Sequence, residues 1–176
     1  AALYEYEALS RDGMNAAAKA VFGVGVKQVV RLGKAARILA LDCDFLGNDP
    51  VNADPLKAFT KGRNPEENGG EMNRLYCLEN RYTLTGGMAD HRKSLAASLI
   101  PLAAAFIASE LGEASAKTLA GGLPDSIKQW LAPAIADLKE NAGKSLVVAG
   151  SRYGSEVHAL VAAINNALGA FGKTID

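Results

Sequence analysis

Short apolar runs at residues 3–7, Arg37–Leu41, 74–78 and Ser145–Ala149 punctuate the chain, and each is followed by a longer stretch with helical signals. Strands that alternate with helices predict a parallel sheet. RILAL and SLVVAG are almost unbroken in apolar residues, the pattern of strands covered on both faces, and both are read as central.

The helical stretches carry their own punctuation. Ser10 is placed to cap a helix over Asp12–Phe22, with Asp12 near the positive end of its dipole, and Gly23 and Gly25 end it. Asp54 before Pro55 reads as a capping residue with proline at the first helical position, so a short helix should run to Lys61. The stretch GRNPEENGGE over 62–71 is polar and rich in glycine, a surface loop. Residues 94–112 predict a helix in which Pro101 is tolerated only near the start or at a kink. A further helix begins at Asp125, after the breaker GGLP, and runs to near Gly143, with Pro133 bending or splitting it. The last covers about 154–169, where Val157, Leu160, Val161, Ile164 and Leu168 form one apolar stripe. The expected fold is α/β: an open, mainly parallel, Rossmann-like sheet of about four strands with helices on both faces, in one domain over residues 1–176.

Composition narrows the function classes. A length of 176 residues suits one domain, and 19 basic against 19 acidic side chains leave no surplus with which to neutralise phosphates, so no nucleic-acid partner is expected. The most apolar run, 95–109, stops at Glu110, short of the roughly 20 residues that cross a bilayer, and no direct membrane span is expected. Two cysteines cannot hold a four-thiolate iron–sulfur cluster or build a disulfide framework. The chain opens on Ala1 and enters a strand-like run at once, which reads as a piece of a larger protein.

Candidate chemistry is sparse. His91 and His158 have no partner at metal-ligand spacing and read as structural or surface residues. Cys43 and Cys77 read as buried small hydrophobes. FGVGVK follows a helix rather than a strand, the wrong context for a dinucleotide fingerprint, so Gly23 and Gly25 read as helix termination. Asp42, Asp44, Asp49 and Asp54 fall after a central strand, where carboxylates could hold Mg²⁺ or Ca²⁺, or could simply cap a helix and bond to loop N–H groups. The densest group is RYTLTGGMADHR over 81–92. Its hydroxyls, glycine N–H groups and cations suit a phosphate-bearing ligand, and they equally suit a partner-binding loop.

The segment ENRYTLTGGMAD resembles the pattern D-P-R-x-T-x-T-A-x-x-A-D, with which the molybdopterin oxidoreductase family follows one strand of its nucleotide-cofactor domain. Arg81, Thr83, Thr85, Ala89 and Asp90 keep register with it. AARILALDCD, and SLVVAG with its following helix and LGAFGKT, are similar to two other parts of that family. Residues 72–92, MNRLYCLENRYTLTGGMADHR, look most like the molybdopterin-like domain of the large iron–sulfur subunit of alternative complex III, a quinol-oxidising respiratory assembly.

The resemblance implies a non-catalytic scaffold domain of an oxidoreductase subunit in quinol-linked electron transfer, without a cofactor of its own. Iron–sulfur clusters would lie in a cluster-bearing domain of the same polypeptide, which with other respiratory-complex subunits would be the partner. The place implied is a bacterial membrane-associated complex, on the periplasmic side.

The departures from the family matter. Its uncharged G-S-N-P loop is here Asp42, Cys43, Asp44 and Phe45, and carboxylates beside a pyrophosphate would be repelled. Its D-P is Glu79-Asn80, and its P-G-T-D gives way to the apolar SLAASLIPLAAAF. No catalytic residue and no metal ligand are assigned. The first alternative is a genuine molybdopterin guanine dinucleotide domain, in which Arg81, Thr83, Thr85 and Asp90 contact the guanosine diphosphate part. The second is a stand-alone ligand-binding or regulatory module, since fold does not fix function. The 81–92 loop is expected to be ordered by internal bonds from Thr83, Thr85 and Asp90. A strand missing before Ala1 would leave a sheet edge open to pairing in a crystal dimer.

Overall fold

Side chains alternate across a strand, and the apolar residues of Arg37–Leu41 (β1) are buried on both faces, so this strand must lie between two cores. The computed structural model describes residues 12–26, 28–49, 51 and 55–176. In it β1 is flanked by Arg74–Glu79 (β2) and Ser145–Ala149 (β4), with His91–Ser94 (β3) outside β2. The order is β3-β2-β1-β4 and every pair is parallel. Leu39 stands opposite both Tyr76 and Val147. The expected strand at 3–7 and the capping residues Ser10 and Asp54 lie outside the described residues.

Seven helices connect or cover the described strands: Asp12–Phe22 (α1), Pro55–Lys61 (α2), Leu84–Gly87 (α3), Ile100–Glu110 (α4), Lys117–Ala120 (α5), Asp125–Glu140 (α6) and Ser155–Ala167 (α7). Leu39, Leu41, Leu78 and Val147 point into one core, against α4, α6 and α7. Ile38, Ala40, Leu75 and Val148 point into the other, which is closed by Leu32, Phe45, Phe59 of α2 and Ile175 near the C-terminus. The second face is thus covered by a short helix, loops and the chain's last turn. α1 packs along α7 at the β4 side.

Four expectations need correction. SLVVAG, read as central, forms β4, which stands at one end of the order among the described strands and is apolar because helices and loops still cover both its faces. The segment HRKS, read as part of a loop, is β3. It is polar because it is an edge strand, where charge protects an unpaired backbone, so it lacks an apolar signature. The helix expected from 94 starts at Ile100, because Ser94 ends β3 and a 3₁₀ turn, Ala97–Leu99, intervenes; Pro101 sits in its first turn, where no amide is needed. α6 runs unbroken through Pro133. Both Pro133 and Gln129, whose carbonyl loses its helical partner, are exposed, so water can satisfy that carbonyl.

Two polar devices fix the sheet. At the amino ends of the strands, Asp137 of α6 accepts hydrogen bonds from Arg37 Nε at 2.7 Å, Arg74 Nη1 at 2.8 Å and the Tyr76 hydroxyl at 2.8 Å. Burial alone would raise the Asp137 pKa, but these donors hold it below the ordinary carboxylate value. At the outer edge of β4, the buried Asn165 side chain of α7 accepts from the Val147 N–H at 2.9 Å and donates to the Val147 carbonyl at 2.8 Å. It pairs with that backbone as a neighbouring strand would.

Candidate functional site

The connections from β1 and β4 leave the sheet on opposite sides, so the carboxyl ends of these two strands form a topological switch point, where open α/β sheets bind ligands. The loops there are 42–49 and 150–154. Asp42 has φ of 51°, a left-handed conformation uncommon for a side-chain-bearing residue and better tolerated by Asp than by most. The kink aims its carboxylate across the crevice. Oδ2 accepts from the Tyr153 hydroxyl at 2.5 Å and pairs with Arg152, while Oδ1 accepts from the Asn80 N–H at 3.2 Å. Asp49 Oδ2 accepts from the Ser151 N–H at 2.7 Å. Gly150 is required here, since a Cβ would overlap the Asp42 carbonyl oxygen.

Asp44 closes the other side. Oδ1 accepts from the Thr85 N–H at 3.0 Å and Oδ2 from the Asn48 N–H at 3.1 Å, while the Thr85 hydroxyl accepts from the Leu46 N–H at 3.0 Å. Burial raises the Asp44 pKa, and the Asn48 and Thr85 backbone donors, together with the Thr85 and Thr83 hydroxyls, more than reverse it. The loops after β1 and β2 are therefore clamped by a reciprocal pair. Asp42, Asp44 and Asp49 each serve a different element, and among the described residues no group of three His, Cys, Asp or Glu converges to hold a metal ion.

The other candidates divide. Thr83 caps α3, its hydroxyl accepting from the Gly86 N–H at 3.1 Å and donating to Glu79 Oε2 at 2.6 Å. Glu79 is buried, pairs with Arg92 at 2.5 Å, and fills the space that a side chain at Gly86 would need. Asp90 accepts from the Leu75 N–H at 2.8 Å and pairs with Arg63 at 2.7 Å. The loop is thus held by Thr83, Thr85 and Asp90 together. Asp90 lies at the amino end of β2, whereas Thr83 and Thr85 lie by its carboxyl end, roughly 13 Å along the strand at the usual rise per residue. One phosphate cannot engage all of them. Arg81 is exposed.

Of the remaining residues, Cys43 and Cys77 are buried free thiols, both with pKa values pushed up first by burial, the wrong direction for a nucleophile. His91 stacks on Tyr76 with ring centroids 4.9 Å apart. Gly23, with φ of 74°, ends α1. His158 is buried and lines a cavity between α1, α7 and β4. Burial lowers its pKa, although Asp49 and backbone bonds to Ser151 and Tyr153 oppose the shift.

That shift has a sign in stability. Between its folded value and the ordinary 6.5, the unfolded chain binds the proton and the folded chain does not, so this contribution is complete above pH 6.5 and is lost as pH falls. Urea unfolding should show stability declining from pH 7 to pH 5. The His158→Gln variant should be flatter over that interval; an equally steep variant would remove His158 as the cause.

Sequence reasoning missed Arg152, Tyr153 and Glu79. The only available signal was position: Arg152 and Tyr153 follow an apolar strand, and Glu79 ends one.

The fold and this crevice define a Rossmann-like α/β domain whose switch point is braced by its own side chains. No protein-family model matches the chain, and no curated protein matches it in sequence.

A bound molybdopterin guanine dinucleotide does not fit the residues at this crevice. Its phosphates would meet Asp42, Asp44 and Asp49, and three of the four candidate ligands, Thr83, Thr85 and Asp90, already bond within the chain.

Proposed function

We propose that the chain is a scaffold domain of an iron–sulfur, molybdopterin-type respiratory oxidoreductase subunit serving quinol-linked electron transfer, and that it holds no nucleotide cofactor of its own. The observation that carries this reading is the braced crevice: Asp42 to Arg152 and Tyr153, Asp44 to Thr85, and Asp49 to Ser151 occupy the ligand position of an open sheet with carboxylates. An anionic cofactor would be repelled there. The resemblance of residues 72–92 supplies the oxidoreductase context. Elemental analysis of the purified full-length protein tests the reading, and stoichiometric molybdenum or tungsten would overturn it.

A scaffold also needs a surface. On the loop after β2, Tyr82 is 73%, Leu84 65% and Met88 46% exposed, large apolar groups close in sequence beside the exposed Arg81. Exposed apolar patches of this kind serve partner contact. This loop would meet the cluster-bearing domain or another subunit of a bacterial membrane-associated complex. Tyr82→Ser with Leu84→Ser should leave chain stability within about 0.5 kcal/mol, as for surface changes generally, while lowering recovery of partner subunits on affinity purification of the full-length protein. Unchanged recovery would locate the contact elsewhere.

A further inference from the structure

Among the described elements, β3 packs chiefly on β2, and its other margin is open. In a parallel ladder every second residue of a strand turns its N–H and C=O toward one neighbour, and the residues between turn theirs the other way. The register sets Tyr76 opposite His91 and Leu78 opposite Lys93, and the Leu95 N–H carries the ladder on to the Glu79 carbonyl at 2.9 Å. Residues 91, 93 and 95 therefore face β2, and Arg92 and Ser94 face outward. The outward N–H and C=O groups of these two have no partner among the described residues.

Side chains along this margin are sorted by face. His91 and Lys93 share the face of Tyr76 and Leu78, and the His91 ring stacks on Tyr76. Lys93 forms no ion pair among the described residues, whereas Arg92, on the opposite face, is neutralised by the buried Glu79. The Arg92 guanidinium lies over the Tyr82 ring, 4.7 Å from its centroid, and Tyr82 itself reaches far into solvent. One face thus offers an uncompensated cation, and the other an exposed aromatic platform.

We infer that β3 is a docking edge for an extended segment of a partner protein in which acidic and apolar residues alternate. The segment adds one strand to the four: its backbone pairs with Arg92 and Ser94, its acidic side chains lie beside Lys93, and its apolar side chains lie beside Tyr82. Charge complementarity selects this occupant. A second copy of HRKS would set cations against cations, which repel across a strand pair, so the charge that deters indiscriminate pairing is the same charge that admits an acidic strand. The assignment does not rest on the scaffold reading, which metal analysis tests separately.

The test titrates the full 176-residue chain with the end-blocked peptide E-V-E-F-E-V-E, followed by NMR. Binding should be saturable and should slow amide exchange at Arg92 and Ser94, while Lys93, already bonded to β2, changes little. Two further peptides are N-methylated at alternate residues, one at the glutamates and one at the apolar positions. One of them should lose about ten-fold in affinity, the effect of removing two net hydrogen bonds, and the other should keep it, because one set of amides alone faces β3. The charge-inverted peptide K-V-K-F-K-V-K should bind roughly five-fold more weakly, as should the acidic peptide to Lys93→Glu, with folding of that variant checked by circular dichroism. The inverted peptide needs no variant, so a misfolded Lys93→Glu leaves the test intact. Absence of saturable binding, equal affinities for the acidic and basic peptides, equal losses for both methylated peptides, or protection elsewhere than at Arg92 and Ser94 would each overturn the assignment. A dimer of the unliganded chain that protects these same amides would overturn it too, by giving the edge to a second copy.

Discussion

Replacing Asp137 with alanine is expected to lower the stability of the chain by about 3 kcal/mol, the lower end of the range for breaking a buried ion pair from one side. Asp137 is 12% exposed and is the shared acceptor for Arg37, itself 19% exposed, and for Arg74, while the Tyr76 hydroxyl donates to the same carboxylate. Removing it leaves the largely desolvated Arg37 guanidinium with only the Ala36 carbonyl as partner and no counter-charge, and takes the acceptor from the Tyr76 hydroxyl. For a chain of this size the midpoint of thermal unfolding should fall by roughly 10 °C. Asp137→Asn should lie between the two, because it keeps an acceptor and loses the charge. Urea unfolding at pH 7 checks the series, and a loss under 1 kcal/mol for the alanine variant would show that the helix α6 is held to β1 and β2 by apolar contacts alone. The lowered Asp137 pKa adds a pH signature: the stability it contributes is complete above the ordinary carboxylate value and disappears as pH drops through the folded one.

Gly150→Ala should be about as damaging, near 3 kcal/mol, the upper end of overpacking costs. The added methyl would overlap the backbone oxygen of Asp42, not a flexible side chain, so relief requires moving β4 away from β1 or releasing the left-handed turn at Asp42. Either movement also breaks the Asp42 contacts with Arg152 and Tyr153. Amide exchange at Ser151, whose N–H bonds to Asp49, should therefore quicken in the variant by more than global destabilisation explains. A variant that unfolds within 0.5 kcal/mol of the unmodified chain would mean that the two strand ends have room to spare.

These two sites mark what the sequence could and could not disclose. RILAL, RLYCLE and SLVVA are legible as strands because burial on both faces demands apolar side chains at every position, and no other element of that length does. HRKS is illegible for the complementary reason: an edge strand is specified by its neighbour, and its own residues are chosen against further pairing. The acidic loop was visible as a group of carboxylates after a central strand. Its role was not, because Arg152 and Tyr153, more than a hundred positions later, turn a potential cation site into a brace. The internal bonds of Thr83, Thr85 and Asp90 were expected, but not that they serve opposite ends of β2: the alternative that the resemblance implies sets these residues on one ligand, whereas the chain runs back along β2, so that Asp90 returns to the strand's beginning. The cavity beside His158 had no sequence signal, since it is built from alanines and valines that look like ordinary core.

The pairing of Asn165 with Val147 bears on how copies of this chain can associate. Sheets extend by recruiting backbone at their margins, and unlimited growth needs two receptive margins per molecule. Here the β4 margin is occupied at its middle by an amide from the molecule itself, and the β3 margin carries His91, Arg92 and Lys93, whose charge opposes pairing with a second copy. Neither margin among the described strands is thus an open template for another copy. The two are guarded by different means, one by charge and one by a single side chain, so that a change as small as Asn165→Ala would bare the apolar margin of the two.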